Sequence, residues 1–180
     1  RYFIFYKPFQ VLSQFSAEGE KKTLADYFTD IPKDIYPVGR LDYDSEGMLL
    51  LTNDKSLTNQ LLNPTFAHQR TYWVQVEGAI SQQAIQQLCK GVEININGKL
   101  YKTKSAVATL FKEAPTVPDR NPPIRYRKDI PTSWISLTLT EGKNRQVRKM
   151  TASVGFPTLR LIRYSIGRVN IEGMEPGTFR

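Results

Sequence analysis

Cysteine and histidine are nearly absent from the sequence, which contains one of each, Cys89 and His68. A single cysteine cannot form an internal disulfide. One cysteine and one histidine are also too few for the sets of four nitrogen and sulfur ligands that structural zinc sites use. We therefore expect no disulfide and no metal site, and this composition is typical of a protein that works in the reducing cytoplasm.

Long apolar segments are missing as well. The sequence contains no run of about 18 apolar residues, the length that a membrane-spanning helix needs, and no signal-peptide pattern stands before Arg1. We therefore expect a soluble cytoplasmic protein with no membrane partner. With 180 residues, 40% of them apolar, the chain is long enough for one domain with a sizeable core.

Acidic residues are fewer than basic ones: 17 Asp and Glu stand against 25 Lys and Arg, and the formal net charge is +8 at pH 7. Such an excess attracts polyanions, because a basic surface draws phosphate groups towards it. The charge alone therefore predicts nucleic acid or anionic lipid as the partner, and it does not choose between them.

The pattern of apolar and turn-forming residues predicts an α+β fold. Apparent strands outnumber helices, and Asn97-Gly98 is a strong signal for a β-hairpin, which requires antiparallel strands. We therefore expect a mixed, mostly antiparallel sheet flanked by helices and loops. The segments behind this prediction are strands at 2–5, 92–96 and 134–139, and helices at 55–62 and 82–90. Residues 113–131, with five prolines and four basic residues, predict a long loop.

The most informative segment covers residues 37–54. Gly39 and Gly47 allow a tight backbone on either side of Asp42, and a short apolar strand follows. Asp42 is thus expected on a loop braced by the core, where reactive side chains often lie. Taken alone, Asp42 is either a turn-forming residue or a reactive carboxylate. We assign a structural role to Asp44, two residues later.

Two further segments place functional side chains beside apolar ones. Tyr72 alternates with Val74 and Val76 on one face of a predicted strand, so it is either a core aromatic or a site residue. A helix is predicted for residues 144–154. Its cationic side contains Arg145, Arg148 and Lys149, and its apolar side contains Val147, Met150 and Val154.

These motifs, in this order, resemble a known family. Gly39-Arg40-Leu41-Asp42, followed by Ser45, Gly47 and an apolar run, is similar to the signature of the pseudouridine synthases that act on ribosomal RNA. The resemblance is to the branch typified by the small-subunit uridine isomerase and its large-subunit relatives. Further matching blocks are Tyr6-Lys7-Pro8, residues 70–78, residues 141–150, residues 161–167 and residues 177–180.

The resemblance implies the pseudouridine synthase fold, with an active-site cleft across the sheet. It implies one catalytic domain over residues 1–180, built from two subdomains that share the sheet. It also implies an isomerase that converts a uridine of 23S ribosomal RNA to pseudouridine as a monomer, without a cofactor or metal. By resemblance, Asp42 is the catalytic carboxylate, Tyr72 stacks on the uracil and takes part in proton transfer, and Arg148 pairs with Asp42.

The resemblance also implies which residues contact the RNA. Leu161 would form an apolar wall of the uracil pocket, and Arg40 would enter the RNA where the target base had been. The other RNA-binding candidates are Lys7, Arg70, Lys143, Arg145 and Lys149. The loop at 113–131 is expected to replace an N-terminal RNA-binding module that many members of the family have.

Two alternatives are left open by the sequence. One is a non-catalytic RNA-binding or ribosome-assembly protein on the same scaffold. The other is an unrelated hydrolase that uses the carboxylates of Asp42 and Asp44 and does not act on RNA.

Overall fold

The computed structural model describes all residues from 1 to 180, and they divide into two compact units. The first unit contains residues 1–68, 118–122 and 162–180, and the second contains residues 69–117 and 123–161. The fold is α+β, as predicted, with a mixed sheet of eight strands and a separate two-stranded hairpin. None of the helices is long and apolar enough to cross a membrane.

Ten strands, three α-helices and two short 3₁₀ helices make up the structure. The strands are β1 (Tyr2–Lys7), β2 (Tyr36–Pro37), β3 (Glu46–Thr52), β4 (Arg70–Glu77), β5 (Glu93–Ile96), β6 (Lys99–Lys102), β7 (Val107–Leu110), β8 (Thr132–Leu139), β9 (Thr158–Ile166) and β10 (Val169–Asn170). The α-helices are α1 (Lys55–Leu62), α2 (Gln82–Lys90) and α3 (Gln146–Ser153), and the 3₁₀ helices are Leu24–Asp26 and Pro64–Phe66.

In the first unit, β3 has three strand partners. Its residues 47–52 pair with β1 in the antiparallel direction, its first two residues pair in parallel with Ile162 and Arg163 of β9, and its last two pair with β2. The apolar side chains of β1 and β3 pack with those of residues 24–41 into one core. The fully or nearly fully buried members of this core are Phe5, Leu24, Phe28, Ile35, Leu41, Leu49 and Leu51.

In the second unit, β8 is the central strand of an antiparallel trio. It pairs with β4 from Arg70 opposite Leu139 to Glu77 opposite Thr132, and with β7 on its other side. Strand alternation turns Val74, Val76 and their neighbours to one face, where they pack against α2 and α3. The hairpin of β5 and β6 joins this core through Ile94.

The helix ends show which local signals are decisive. Helix α1 has the predicted bounds: the Asp54 side chain accepts a hydrogen bond from the Leu57 amide, and the helix ends before Pro64. Helix α2 is likewise capped by Ser81, whose hydroxyl accepts from the Ala84 amide.

The hairpin turns at residues 97 and 98, and no helix or strand forms between 113 and 131. These predictions are confirmed.

Helix α3 begins later than predicted, at Gln146 instead of Asn144. Arg145 precedes it with a left-handed backbone, φ +51°, so the helical hydrogen-bond pattern cannot extend further back. The Lys143 amide instead donates to the Gln146 side-chain carbonyl, at 3.0 Å, and closes a turn. Residues 143–145 therefore form a loop in front of the helix.

Candidate active site

Asp42 lies at the start of a tight turn in the first unit. The Ser45 amide donates to the Asp42 carbonyl oxygen at 3.0 Å, which closes the turn over residues 43 and 44. The Ser13 hydroxyl both accepts from the Leu41 amide, at 3.1 Å, and donates to the Leu41 carbonyl, at 2.9 Å. Asp42 is half-buried, whereas Leu41 and Ser45 on either side of the turn are buried. Its backbone is therefore held on a rigid support, as predicted.

The strand that follows the turn requires glycine at position 47. Gly47 has φ +111° and lies between Lys7 of β1 and Arg163 of β9. A Cβ atom at this position would overlap the backbone carbonyl of Arg163. The close pairing of β3 and β9 thus depends on the absence of a side chain at Gly47.

Lys7 was predicted to face RNA, and this prediction is wrong. Its side chain has no exposed surface, and its ammonium group donates to the carbonyl oxygens of Pro8, at 2.9 Å, and Val11, at 2.8 Å. Burial lowers the pKa of Lys7 to about 7, and the negative charges of Glu46, Asp44 and Asp42 oppose that shift. Lys7 is therefore an internal amine at the end of β1, near the carboxylates of Glu46, Asp44 and Asp42.

Two more charged side chains are buried in the same unit. Glu46, the first residue of β3, and Arg163 of β9 each keep less than a tenth of their surface exposed. The Arg163 Nε donates to the Met48 carbonyl oxygen at 2.9 Å. Glu46 and Arg163 both act electrostatically on Lys7, so the three buried groups form one charged cluster inside the first unit.

Arg40 lies on the surface of the first unit, two residues before Asp42. Its guanidinium group donates to the Gln14 side-chain carbonyl at 3.0 Å. This hydrogen bond holds an exposed cation next to the Asp42 turn. Its proposed entry into RNA stays a prediction.

In the second unit, Tyr72 and Leu161 belong to the same apolar cluster. Tyr72 lies on the face of β4 that also presents Val74 and Val76, and it is half-buried at the edge of the cluster. Leu161 is a buried member of it. Arg70, the first residue of β4, is half-buried. Tyr72 of β4 and Leu161 of β9 thus belong to one apolar cluster, and their contact with uracil stays a prediction.

The basic segment around α3 divides into exposed and half-buried cations. Lys143 and Arg145 are exposed in the loop before the helix, whereas Arg148 and Lys149 on its first turns are half-buried. The opposite side of the helix, with Val147 and Met150, is buried in the core. The predicted separation of a cationic side from an apolar side is therefore confirmed for the residues that are helical.

Glu141 has a role that the sequence did not indicate. Its buried carboxylate accepts hydrogen bonds from the Tyr101 hydroxyl, the Lys104 amide at 2.8 Å and the Gln146 side-chain amide at 2.9 Å. Burial raises the pKa of Glu141, but these hydrogen bonds outweigh it and lower the pKa overall, and they raise the pKa of Tyr101 to about 12. Glu141 thus ties the loop at 143–145 to the hairpin.

Tyr101 lies 40 residues before Glu141 in the sequence, and Lys104 lies 37 residues before it. A single sequence contains no periodic signal for such a contact.

The structure contains no group of three or more His, Cys, Asp or Glu side chains arranged to hold a metal ion.

The first unit has a braced carboxylate loop, and the second unit has an aromatic strand and a basic helix. Together with the mixed sheet, these features define a class of RNA-modifying proteins. The model of the RNA pseudouridylate synthase family matches residues 1–153. The chain therefore belongs to the RNA pseudouridylate synthase family, and it is an isomerase of that type.

Similar proteins extend over nearly the whole chain. Ribosomal large subunit pseudouridine synthase E of Vibrio parahaemolyticus is 49% identical over 178 residues, which cover 98% of this chain and 71% of that protein. The protein of the same name from Xanthomonas campestris is 47% identical, with 97% of this chain and 91% of that protein covered. Ribosomal large subunit pseudouridine synthase B of Bacillus subtilis is 35% identical, and the match covers 99% of this chain and 66% of that protein.

Solved structures share the fold. A crystal structure of a pseudouridylate synthase superposes with a TM-score of 0.79 at 25% identity, covering 99% of this chain and 68% of that one. Human RNA pseudouridylate synthase domain containing 1 superposes with a TM-score of 0.60 at 13% identity, covering 92% of this chain and 74% of that one. The second likeness concerns the fold alone.

Proposed function

We propose that this protein converts one uridine of 23S ribosomal RNA to pseudouridine, acting as a monomer in the cytoplasm. Its membership of the family supports the reaction, and the names of its similar proteins support the large ribosomal subunit as the source of the RNA. The net charge of +8 suits a polyanionic substrate. The observation on which the proposal depends is the Asp42 turn, a half-buried carboxylate on a backbone fixed by Ser13 and Ser45.

The reaction needs no co-substrate, because it only rearranges the nucleotide. The bond between N1 of uracil and C1′ of ribose breaks, the detached base turns, and C5 forms a new bond to C1′. The proton that leaves C5 is balanced by the proton that N1 gains. No electrons are exchanged with a cofactor, so the protein has to supply a carboxylate, a pocket for the free base and a route for a proton.

In this proposal Asp42 acts at C1′. Positive charge develops on the ribose as the C1′–N1 bond breaks, and a carboxylate stabilises it as a nucleophile or as a counter-charge. Arg148 is proposed as the cation that keeps Asp42 ionised and oriented. The Asp42 backbone enters the reaction already ordered, so little ordering is left to the moment of reaction.

Tyr72 and Leu161 are proposed to hold the detached uracil. An aromatic ring and an apolar wall suit the flat faces of a base, and base stacking on an aromatic ring contributes about 1–3 kcal/mol. The Tyr72 hydroxyl is proposed to assist the proton transfer from C5 to N1. The half-exposure of Tyr72 is consistent with this role, since a ring buried on all sides could not reach a base.

The proposed RNA-binding residues are cations at the surface. Arg40 is proposed to occupy the space of the target base, which has to leave a helical stack before it can react. The other cations proposed to contact the RNA backbone are Arg70, Lys143, Arg145 and Lys149. Lys7 is not among them, because its ammonium group is buried and hydrogen-bonded to main-chain carbonyls.

The test compares two substitutions on the same turn, Asp42→Asn and Asp44→Asn. Both remove one negative charge near Lys7 and keep the shape of the side chain. Single-turnover pseudouridine formation on 23S RNA fragments is measured by carbodiimide mapping, and RNA affinity by filter binding. We expect Asp42→Asn to lose at least about 10²-fold in rate with affinity nearly unchanged, and Asp44→Asn to stay within about tenfold of the parent.

Rates within tenfold of the parent for Asp42→Asn would contradict the proposed role of Asp42. A parent protein that binds the RNA but forms no pseudouridine would instead favour the alternative of a non-catalytic RNA-binding protein. If the parent acts on small-subunit RNA and leaves 23S RNA unmodified, the reaction stands and the proposed substrate does not.

A further inference from the structure

A cavity of about 390 Å³ lies in the second unit, next to the strands β4, β7 and β8. Its lining includes Gln75, Trp134, Phe111, Lys112 and Tyr126. Gln75 and Trp134 are cross-strand partners, and Gln75 is three residues from Tyr72 on β4. Because side chains alternate along a strand, Gln75 points to the face opposite Tyr72. The cavity is therefore separate from the surface proposed to hold the uracil that reacts.

The lining of the cavity contains both fixed and exposed aromatic rings. Trp134 is buried, and Phe111 packs edge-on against the Trp73 ring with ring centroids 5.4 Å apart, so these rings are fixed. Tyr126, by contrast, is 67% exposed although it also lines the cavity. Tyr126, a large and exposed aromatic ring at the cavity, gives a flat ligand a surface on which to stack. The cavity volume falls in the lower part of the usual range for small-ligand pockets, about 300–1,000 Å³.

The polar groups at the cavity suit a base with a phosphate. Gln75 is a buried amide whose Nε2 donates to the Thr132 hydroxyl at 3.1 Å, which fixes its orientation. Lys112 lines the cavity, and three basic residues, Arg125, Arg127 and Lys128, lie in the sequence next to Tyr126. Arg127, the neighbour of Tyr126, is anchored by an ion pair to Glu77 at 3.5 Å. Amides read base edges, and cations attract the phosphates beside them.

We propose that this cavity binds one unstacked nucleotide of the RNA, outside the nucleotide that is isomerised. Tyr126 stacks on the base, and Lys112 with the basic residues around Tyr126 contacts the flanking phosphates. The inference rests on the proposed function, since it takes the RNA substrate as the ligand. The consequence is that the protein recognises an unpaired nucleotide at a fixed distance from the target uridine.

The two tryptophans of the chain make the test direct. Trp134 lines the cavity and Trp73 packs on Phe111, so the intrinsic tryptophan fluorescence reports on this face of the sheet. The protein is titrated with a single-stranded RNA hexamer of mixed sequence, and with a fully paired RNA hairpin closed by a short non-nucleotide linker. We expect the hexamer to quench the fluorescence at saturation, and the hairpin to quench it far less.

Substitutions at Tyr126 then test the stacking. Tyr126→Ala should weaken hexamer binding by about 5- to 150-fold, which corresponds to the loss of one base stack. Tyr126→Phe keeps the ring and should bind as the parent does. Tyr36→Ala is the matched control, because Tyr36 is a tyrosine of the first unit with a similar exposure of 64%. It should leave the binding unchanged.

Equal affinity of the parent and Tyr126→Ala, or equal quenching by hexamer and hairpin, would overturn the inference. Its failure is distinguishable from failure of the proposed function. Asp42→Asn should still show the quenching even though it forms no pseudouridine. If the parent forms pseudouridine and Tyr126→Ala does so with an unchanged RNA affinity, the cavity has no role and the reaction stands. If the hexamer quenches the fluorescence but no RNA is isomerised, the cavity binds RNA and the proposed reaction fails.

Discussion

The α-carbon of Gly47 faces the backbone of Arg163 so closely that a Cβ atom on Gly47 would overlap the Arg163 carbonyl. This contact joins β3 to β9 immediately after the Asp42 turn. The position of the turn therefore depends on a glycine five residues away. A side chain there would have to push two strands apart.

Gly47→Ala is accordingly expected to destabilise the fold by more than the strain of its backbone alone. A non-glycine residue at φ +111° costs about 1–3 kcal/mol, and the overlap with the strand adds to that. The control is Gly173→Ala, at φ +76° with no atom within 4 Å of the added Cβ. Urea unfolding measures both, and an equal loss of stability in the two variants would show that the close strand pairing contributes nothing.

Lys7 gives a prediction about pH. Its pKa is lowered to about 7 in the folded protein, mainly by burial, whereas an unfolded lysine titrates near about 10.4. Between these values the unfolded chain holds a proton that the folded chain has lost. The free energy of unfolding contributed by this group therefore rises with pH in that window, by up to about 1.4 kcal/mol per pH unit, and is constant below and above it.

The measurement compares the parent with Lys7→Met by urea unfolding at several pH values from 6 to about 10. The stability of the parent relative to the variant should increase with pH, because the variant has no group that loses a proton on folding. Lys33→Met, which removes an exposed lysine, should leave that pH dependence in place. Parallel curves for the parent and Lys7→Met would show that Lys7 keeps its proton in the folded state.

Glu141 gives a pH dependence of the same sign, in the acid range. Its pKa is lowered in the folded state by the hydrogen bonds from Tyr101, Lys104 and Gln146, which outweigh burial. The stability that it contributes is fully present above its unfolded pKa of about 4.3 and is lost as the pH falls through the folded pKa. Glu141→Gln should therefore cost about 1–3 kcal/mol at pH 7 and less at pH 4, because one donor at the site loses its acceptor.

The control for Glu141 is Glu93→Gln, since Glu93 is exposed on β5. Its effect on the free energy of unfolding should stay below about 0.5 kcal/mol. Thermal or urea unfolding at pH 7 and pH 4 provides the comparison. A loss for Glu141→Gln that is the same at both pH values would mean that the side chain acts by its shape and not by its charge.

The fold was predictable from the sequence wherever a local signal decides it. Asp54 and Pro64 define α1, Ser81 begins α2, and Asn97-Gly98 makes the hairpin, because each acts through backbone groups a few residues away. The turn of Asp42 was predictable for the same reason. Arg145 was not, because its left-handed backbone depends on the hydrogen bonds of Gln146 with Lys143 and Glu141.

Lys7 shows the limit most clearly. A lysine before a proline at the end of a strand is usually exposed, so the sequence predicted an RNA contact. Instead β1 lies inside the fold, paired with β3, where Gly47 is the partner of Lys7 40 positions later, and hydrogen-bonded to residues 177–180. Neither contact has a periodic pattern in one sequence. The class of reaction was thus predictable from the motif, whereas the burial of Lys7 was not.

The last prediction separates two cations of α3. Arg148 and Lys149 are neighbours and both are half-buried, yet we propose that Arg148 orients the catalytic carboxylate and that Lys149 contacts an RNA phosphate. A phosphate contact has a distinctive signature, because each one adds about 0.7–0.9 to the slope of log affinity against log salt. The two roles can therefore be distinguished by comparing turnover at saturating RNA with the salt dependence of binding.

Lys149→Ala should weaken the binding of all RNAs alike and reduce the salt slope by about 0.7–0.9, with the single-turnover rate at saturating RNA preserved. Arg148→Ala should reduce that rate by about 10²-fold or more with a smaller change in salt slope, because Asp42 would lose its proposed counter-charge. Arg148→Lys keeps the charge but not the planar guanidinium, so a partial rate is expected. If both alanine variants lose affinity and rate in parallel, α3 is a uniform basic patch, and Arg148 has no separate role in the reaction.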